Sequence, residues 1–237
     1  DADYWTALPE GAVPGSGGWS VEAAATSVVS PAVARELLEA AALKSGDVLV
    51  QNNAGSTVGQ AVIQYAAARG VRTVNILRKA NEWAAISNHL QGLGAGVVVD
   101  EDFARTPAFR KLLADLPAPR VGLDSVGGSA AATVARSLGA GAKLITYGTA
   151  AGRGGIRLPS SAFTNGGLTV TGFSLAAKLR AAPKAARDEL ALASVADTRS
   201  GAIKQLLARE PFADFVHALR RSFARGERKV VLVMPTA

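Results

Sequence analysis

The amino-acid sequence predicts an α/β protein of Rossmann type, a doubly wound parallel sheet with helices on both faces. Three observations predict it. Short apolar runs alternate with helical segments of roughly ten residues, the order that builds a parallel sheet. The runs are almost continuously apolar, as strands covered on both faces are. A glycine-bearing turn, "NNAGSTVG", joins the first run to the helix behind it, in the order strand, turn, helix.

The elements follow in order. Residues 1–20 hold Pro- and Gly-rich breaks and two Trp, and read as loop or as the end of something larger. "SVEAAATSVVSPAVARELLEAAALKSG" has helical periodicity, with Pro31 tolerable in a first helical turn. "DVLVQNN" reads as a buried strand, and Val58 to Gly70 as a helix closed by its C-terminal glycine. "VRTVNILR" is the second strand, Asn81 to Leu93 a helix, and "VVVD" the third strand. Residues Pro107 to Leu116 are helical, "RVGLDSVGG" is strand then turn, and Ala130 to Leu138 is helical. "KLITYG" and "LTVTGFSL" are the fifth and sixth strands; the sixth ends the series and is expected at the sheet edge. Residues 176–224 are Ala-rich, charged and expected to be helical, and "KVVLVM" is one more strand. That last strand needs a neighbour, and residues 1–30 offer little to pair with it.

Composition narrows the chemistry. The 237 residues are 49% hydrophobic, enough for a sizeable core. No apolar run approaches the ~18 residues of a membrane span. The absence of Cys excludes disulfides and thiolate metal sites, and His89 and His217 lie too far apart in sequence to suggest a metal centre. "DADYWTALPEG" is neither basic nor apolar enough for a targeting peptide, so any such segment is expected to be already removed. The net charge of +7 suits a polyanionic neighbour such as RNA, and equally a solvated basic surface.

In a βαβ nucleotide fold, glycines let the backbone approach a pyrophosphate seated on the helix N-terminus. Here Gly55-Ser56-Thr57-Val58-Gly59 supplies two of the three fingerprint glycines. The alternative is a plain corner in which Gly59 only allows close helix–strand packing. A site for NAD carries an acidic residue about 20 residues beyond the turn, for the ribose 2′-hydroxyl. This chain instead offers Arg78 and Lys79 at the end of the second strand, cations suited to a 2′-phosphate, so NADPH is the preferred cofactor.

"QNNAGSTVGQAVIQYAAARGVRTVNILR", "PAPRVGLDSVGG" and "KLITYG" closely resemble the mitochondrial trans-2-enoyl thioester reductases of the medium-chain dehydrogenase/reductase superfamily. "PFADFVHALRRSFARGERKVVLVM" is similar to that superfamily's C-terminal helix and strand. The resemblance implies NADPH-dependent reduction of enoyl-CoA or enoyl-acyl-carrier-protein in mitochondrial fatty acid synthesis, without catalytic zinc. It also implies three segments: residues 1–30 as a remnant of a GroES-like substrate domain, 31–205 as the NADP-binding Rossmann domain, and 206–237 returning toward the substrate domain. By the same resemblance Ser56, Val58 and Gly59 match the pyrophosphate turn and Arg78 the 2′-phosphate contact. Tyr147 and Gly148 match a loop near the nicotinamide, Phe173 the segment lining its other side, and Lys229 a basic position beside the last strand. The superfamily commonly dimerises through the edge strand, here 168–175.

The chain also departs from the family. The catalytic Tyr lies in the substrate domain, and Tyr4 is too near residue 1 to match it, so no catalytic residue is assigned and the chain alone is expected to be inactive. Ser30-Pro31-Ala32-Val33-Ala34 stands for Asn-Pro-x-Thr-Ala, Thr57 for a frequent Gly, and Ala80 for a second 2′-phosphate Arg. Ser174 and Lys178 occupy a stretch where Trp is familiar. A second reading follows from these changes and the basic charge, that of an inactive homologue serving as a structural subunit of a mitochondrial assembly such as the ribosome.

Overall fold

The computed structural model of the chain describes residues 20–79, 83–152, 155–223 and 229–234. Among them, no helix is long and apolar enough to cross a membrane.

Six parallel strands form one sheet in the order β3-β2-β1-β4-β5-β6: β1 Val48–Gln51, β2 Arg72–Leu77, β3 Val97–Asp100, β4 Val121–Asp124, β5 Lys143–Thr146 and β6 Thr169–Gly172. The order reverses between β1 and β4, the switch point at which doubly wound sheets bind ligands. The expected Rossmann arrangement is present, and β6 lies at the edge.

The side chains of β1 alternate between two cores. Leu49 joins Leu123 and Ile145 under α2 (Val29–Ala41) and α3 (Thr57–Ala68). Val48 and Val50 join Val74, Ile76 and Leu144 under α5 (Pro107–Ala114) and α6 (Gly128–Arg136), where Phe109 and Val134 meet them. All four residues of β1 are buried. A strand this central tolerates little; truncating Leu49 to Ala should cost about 2–5 kcal/mol.

A pair of amide side chains, Gln51 and Asn75, is buried inside this largely apolar sheet. The Gln51 amide donates to the Gly59 carbonyl at 3.0 Å and to Asn75 Oδ1 at 2.8 Å, and Asn75 donates to the Val97 carbonyl at 2.9 Å. This chain of amides ties β1, β2, β3 and the start of α3 together, and buried amides so paired specify register.

The helices depart from expectation in two places. The first helical stretch is two helices, α1 (Val21–Thr26) and α2, because Thr26 and Ser27 hydroxyls donate to the Glu22 carbonyl at 2.9 Å and the Ala24 carbonyl at 2.8 Å and end the first. Residues 176–224 are not helical throughout. After α4 (Trp83–Gly92), α7 (Ser161–Thr164), α8 (Leu175–Ala181) and α9 (Lys184–Arg199), the chain forms β7, Leu207–Pro211, then α10, Phe215–Phe223. β8, Lys229–Val233, pairs with β7 in parallel, so the last strand finds its neighbour in the C-terminal segment itself. Asn81 and Glu82, expected to open α4, lie outside the described residues, as do 1–19 of the expected N-terminal remnant.

The β7–α10–β8 unit is anchored to the main domain through α3. The Lys204 backbone N–H donates to Gln64 Oε1 and its carbonyl accepts from Gln64 Nε2, both at 2.8 Å. The Leu206 N–H donates to Gln60 Oε1 at 2.7 Å. Phe212, Phe215, Val216, Leu219 and Met234 are exposed on this unit. The surface they make is apolar.

Candidate cofactor site

The turn after β1 is built by its own side chains. Ser56 caps α3, its hydroxyl accepting from the Gly59 N–H at 3.1 Å. Gly59 packs so closely that a Cβ there would stand 2.6 Å from the Ala54 carbonyl oxygen, a distance no side chain can hold. Gln60 Nε2 donates to the Gly55 carbonyl at 2.8 Å. The glycine is therefore required for the close approach of turn to helix, and the Ser56 hydroxyl takes the Gly59 N–H in the first turn of α3.

A cavity of about 440 Å³ opens beside this turn. Its polar lining residues include Asn53, Ser56, Gln60, Arg78, Ser222 and Lys229. Its apolar lining residues are Leu77, Trp83, Ile86, Leu206 and Val230. Arg78 and Lys229 are both exposed, so two cations face the opening from β2 and from β8. Among the described residues neither has an ion pair. Such a lining, beside the start of a helix, suits a phosphorylated ligand with an apolar ring.

The sequence-matched residues fall into two groups. Ser56 and Arg78 line this cavity, Gly59 backs it, and Lys229 closes it from the C-terminal unit. Lys79 is exposed beside Arg78 but does not line the cavity, and Ala80 lies outside the described residues. Val58, Tyr147 and Phe173 pack on the same core cluster, away from Arg78 and toward β5 and β6. Gly148 also needs to be glycine: a Cβ would stand 2.6 Å from the Ser125 carbonyl oxygen.

A buried polar network joins the two groups, and no sequence motif marks it. Asp124 is fully buried at the end of β4. Its Oδ1 accepts from Asn52 Nδ2 at 2.5 Å and from the Val126 and Gly127 N–H groups at 3.0 Å, and its Oδ2 accepts from Thr146 Oγ1 at 3.0 Å. The Ser125 N–H in turn donates to Asn52 Oδ1 at 3.0 Å, and Asn53 Nδ2 to Ser125 Oγ at 3.1 Å. One carboxylate thus holds the turns after β1, β4 and β5 in a common frame. The only available signal was that Asp, Asn and Thr end strands that are otherwise apolar.

Tyr147 sits just beyond. Its hydroxyl is shielded from solvent and makes no hydrogen bond of ordinary geometry. Burial pushes the phenol up to about 12, against a smaller opposing pull from the Ser125 side chain. It is a neutral group at physiological pH.

The residues that depart from the family's pattern have local partners. Thr57 is buried, its hydroxyl 2.8 Å from that of Ser30 in α2. Val33 is part of the cluster that also holds Phe173. Ser174 caps α8, accepting from the Ala177 N–H at 3.2 Å, and Lys178 pairs with Glu36.

Sheet order, turn and the cavity at the switch point together are those of a Rossmann-type fold. By sequence the chain is a homologue of the mitochondrial enoyl-acyl-carrier-protein reductases. It is 35% identical over 209 residues to the Dictyostelium discoideum protein, covering 87% of this chain and 59% of that one. To the Xenopus tropicalis protein it is 31% identical over 220 residues, 90% of this chain and 63% of that one. No family model matches the chain. In structure it is similar to a mitochondrial 2-enoyl thioester reductase heterodimer from Candida tropicalis, at TM-score 0.77 and 20% identity over 88% of this chain and 61% of that one. A mycobacterial protein complexed with NADPH gives TM-score 0.77 at 25% identity over 93% of this chain and 68% of that one. The chain spans about three fifths of the curated relatives it matches over most of its own length.

Proposed function

We propose that the chain is the NADPH-binding part of a 2-enoyl thioester reductase of mitochondrial fatty acid synthesis, acting on enoyl-CoA or enoyl-acyl-carrier-protein. The observation that carries this reading is the convergence of the Ser56 turn, Arg78 and Lys229 on one cavity at the sheet's switch point. Ser56, Val58 and Gly59 form the pyrophosphate turn, Arg78 with Lys79 nearby receives the 2′-phosphate, and Tyr147, Gly148 and Phe173 border the nicotinamide. NADPH, when bound, supplies the hydride.

The chain's own residues bind and orient. The Gly59 approach opens the helix N-terminus to the pyrophosphate, and the Asp124 network holds the nicotinamide-side loop at a fixed distance from it. The relatives' names place them in mitochondria, and we assign this chain there too. The exposed apolar face of β7–α10–β8 supports the reading of 206–237 as the segment that meets a substrate domain. The open β6 edge supports a homodimer through 168–175.

The test is direct. The protein should bind NADPH at least tenfold more tightly than NADH by calorimetry, and Arg78→Asp should abolish that preference by setting a negative charge against the phosphate. Equal affinities in the unaltered protein would refute the cofactor assignment. The second reading, a structural subunit of a mitochondrial ribonucleoprotein, is supported by Val33, which cannot donate where a Thr hydroxyl would. Failure to bind either nucleotide, with co-purification of RNA, would favour it.

A further inference from the structure

A second cavity, of about 450 Å³, lies between α5 and α6 and shares no lining residue with the cofactor cavity. Three arginines line it: Arg105 just before α5, Arg110 at the end of the first turn of α5, and Arg136 in the last turn of α6. All three are exposed, so solutes can reach them. No carboxylate is among the described residues of the lining. Among the described residues Arg110 and Arg136 have no ion pair, and Arg105 meets Glu101 and Asp102 only at 3.7 and 3.9 Å. Like charges around one cavity repel. Arg105 and Arg110 also flank the N-terminal end of α5, where the helix dipole favours an anion, and the first turn of α5 holds no acidic residue. Only Arg136 has a local reason for its place, since the C-terminal end of α6 favours a cation. An anion among the three would reverse both penalties.

We propose that this cavity is a second anion site, which binds the phosphate group of a small phosphorylated molecule. The lining hydroxyls are already committed: Thr106, Thr133 and Ser137 donate to the carbonyls of Phe103, Ser129 and Thr133 at 2.8, 3.0 and 2.8 Å. The side-chain donors left for an occupant are the guanidinium groups, whose planar forks match phosphate oxygens. A small molecule suits the site better than nucleic acid does. The cations surround one cavity instead of forming a stripe, and the aromatic residue of the lining, Phe109, is 1% exposed and offers no ring to a base. The inference does not rest on the nucleotide reading of the other cavity.

The experiment titrates glycerol 3-phosphate into the full chain by calorimetry. The double variant Arg110→Gln/Arg136→Gln should bind it roughly tenfold more weakly than the unaltered protein. Arg110→Lys/Arg136→Lys, which keeps the charge and loses the forks, should fall between the two. Arg78→Asp, altered in the cofactor cavity, should bind it as the unaltered protein does. Lys44→Gln/Arg72→Gln removes the same charge from exposed positions elsewhere and should change nothing. An equal loss in that control would mean a general field and overturn the inference. So would a loss in Arg78→Asp with the Arg110 and Arg136 variants unaffected, which would place the ligand in the cofactor cavity. Absence of binding at millimolar ligand overturns it too, as does a single-stranded RNA held more tightly than glycerol 3-phosphate through the same arginines. None of these outcomes touches the NADPH assignment, which the comparison of NADPH with NADH tests separately.

Discussion

Gly59 is the residue on which the turn depends. Gly59→Ala sets a methyl 2.6 Å from the Ala54 carbonyl oxygen, a backbone atom that no rotamer change can move. The expected outcome is a loss of about 1–3 kcal/mol in urea unfolding, with weaker nucleotide binding. Asp124 carries more. Asp124→Ala strands the donors of Asn52, Thr146, Val126 and Gly127 in a dry interior, and should lower stability by about 3 kcal/mol or more; Asp124→Asn, which keeps the shape and an acceptor, should recover most of it. Tyr147 makes a prediction about pH. Its folded phenol titrates near 12 and an unfolded one near 10. Stability is unaffected below about pH 10 and falls as pH rises from about 10 to 12, because only the unfolded state has released the proton. Tyr65, also pushed up by burial, acts in the same direction. Tyr147→Phe should therefore flatten part of the alkaline decline, by up to about 2–3 kcal/mol at pH 12, measured by denaturant unfolding across that range.

At the scale of elements, β6 makes the clearest prediction. Thr169 and Phe173 donate their N–H groups inward to the carbonyls of Ala142, just before β5, and Thr146, at its end, at 3.0 and 2.8 Å. By alternation the Val170 N–H faces outward, and Val170 is exposed. Val170→Pro removes that outward donor without breaking a bond to β5, and should turn a dimer into a monomer with its fold intact, read by light scattering. A monomeric unaltered protein would end the edge-pairing proposal. Strands β1 to β6 were legible because apolar runs and helices alternate in a strict rhythm. β7 was not, since "LAREP" is mostly good helix formers and only pairing with β8 makes it a strand. The break between α1 and α2 escaped for the opposite reason: hydroxyl-to-carbonyl bonds of Thr26 and Ser27 act locally, inside a sequence whose periodicity never falters.

For the whole molecule, the candidate site was half legible. Ser56, Gly59 and Arg78 follow from spacing along a βαβ unit. Asp124 and Asn52 do not, because a buried acceptor and its donors are recognisable only once distant segments are brought together. On the proposed reading, residues 1–237 alone should bind NADPH without oxidising it when crotonyl-CoA is added, since among the described residues the phenol beside the Gly148 loop, that of Tyr147, is buried away from any bound substrate. Steady oxidation by the isolated chain would contradict this. The cavity also has a mechanical consequence. Arg78 directly follows the second strand of the chain and Lys229 opens the last, and a ligand gripping both acts as a removable cross-link between them. Its binding energy enters the melting of the C-terminal unit, held also by Gln60, Gln64 and the Arg209–Glu22 pair to α1, so that heating without ligand should unzip that unit first and heating with ligand should melt both parts in one step.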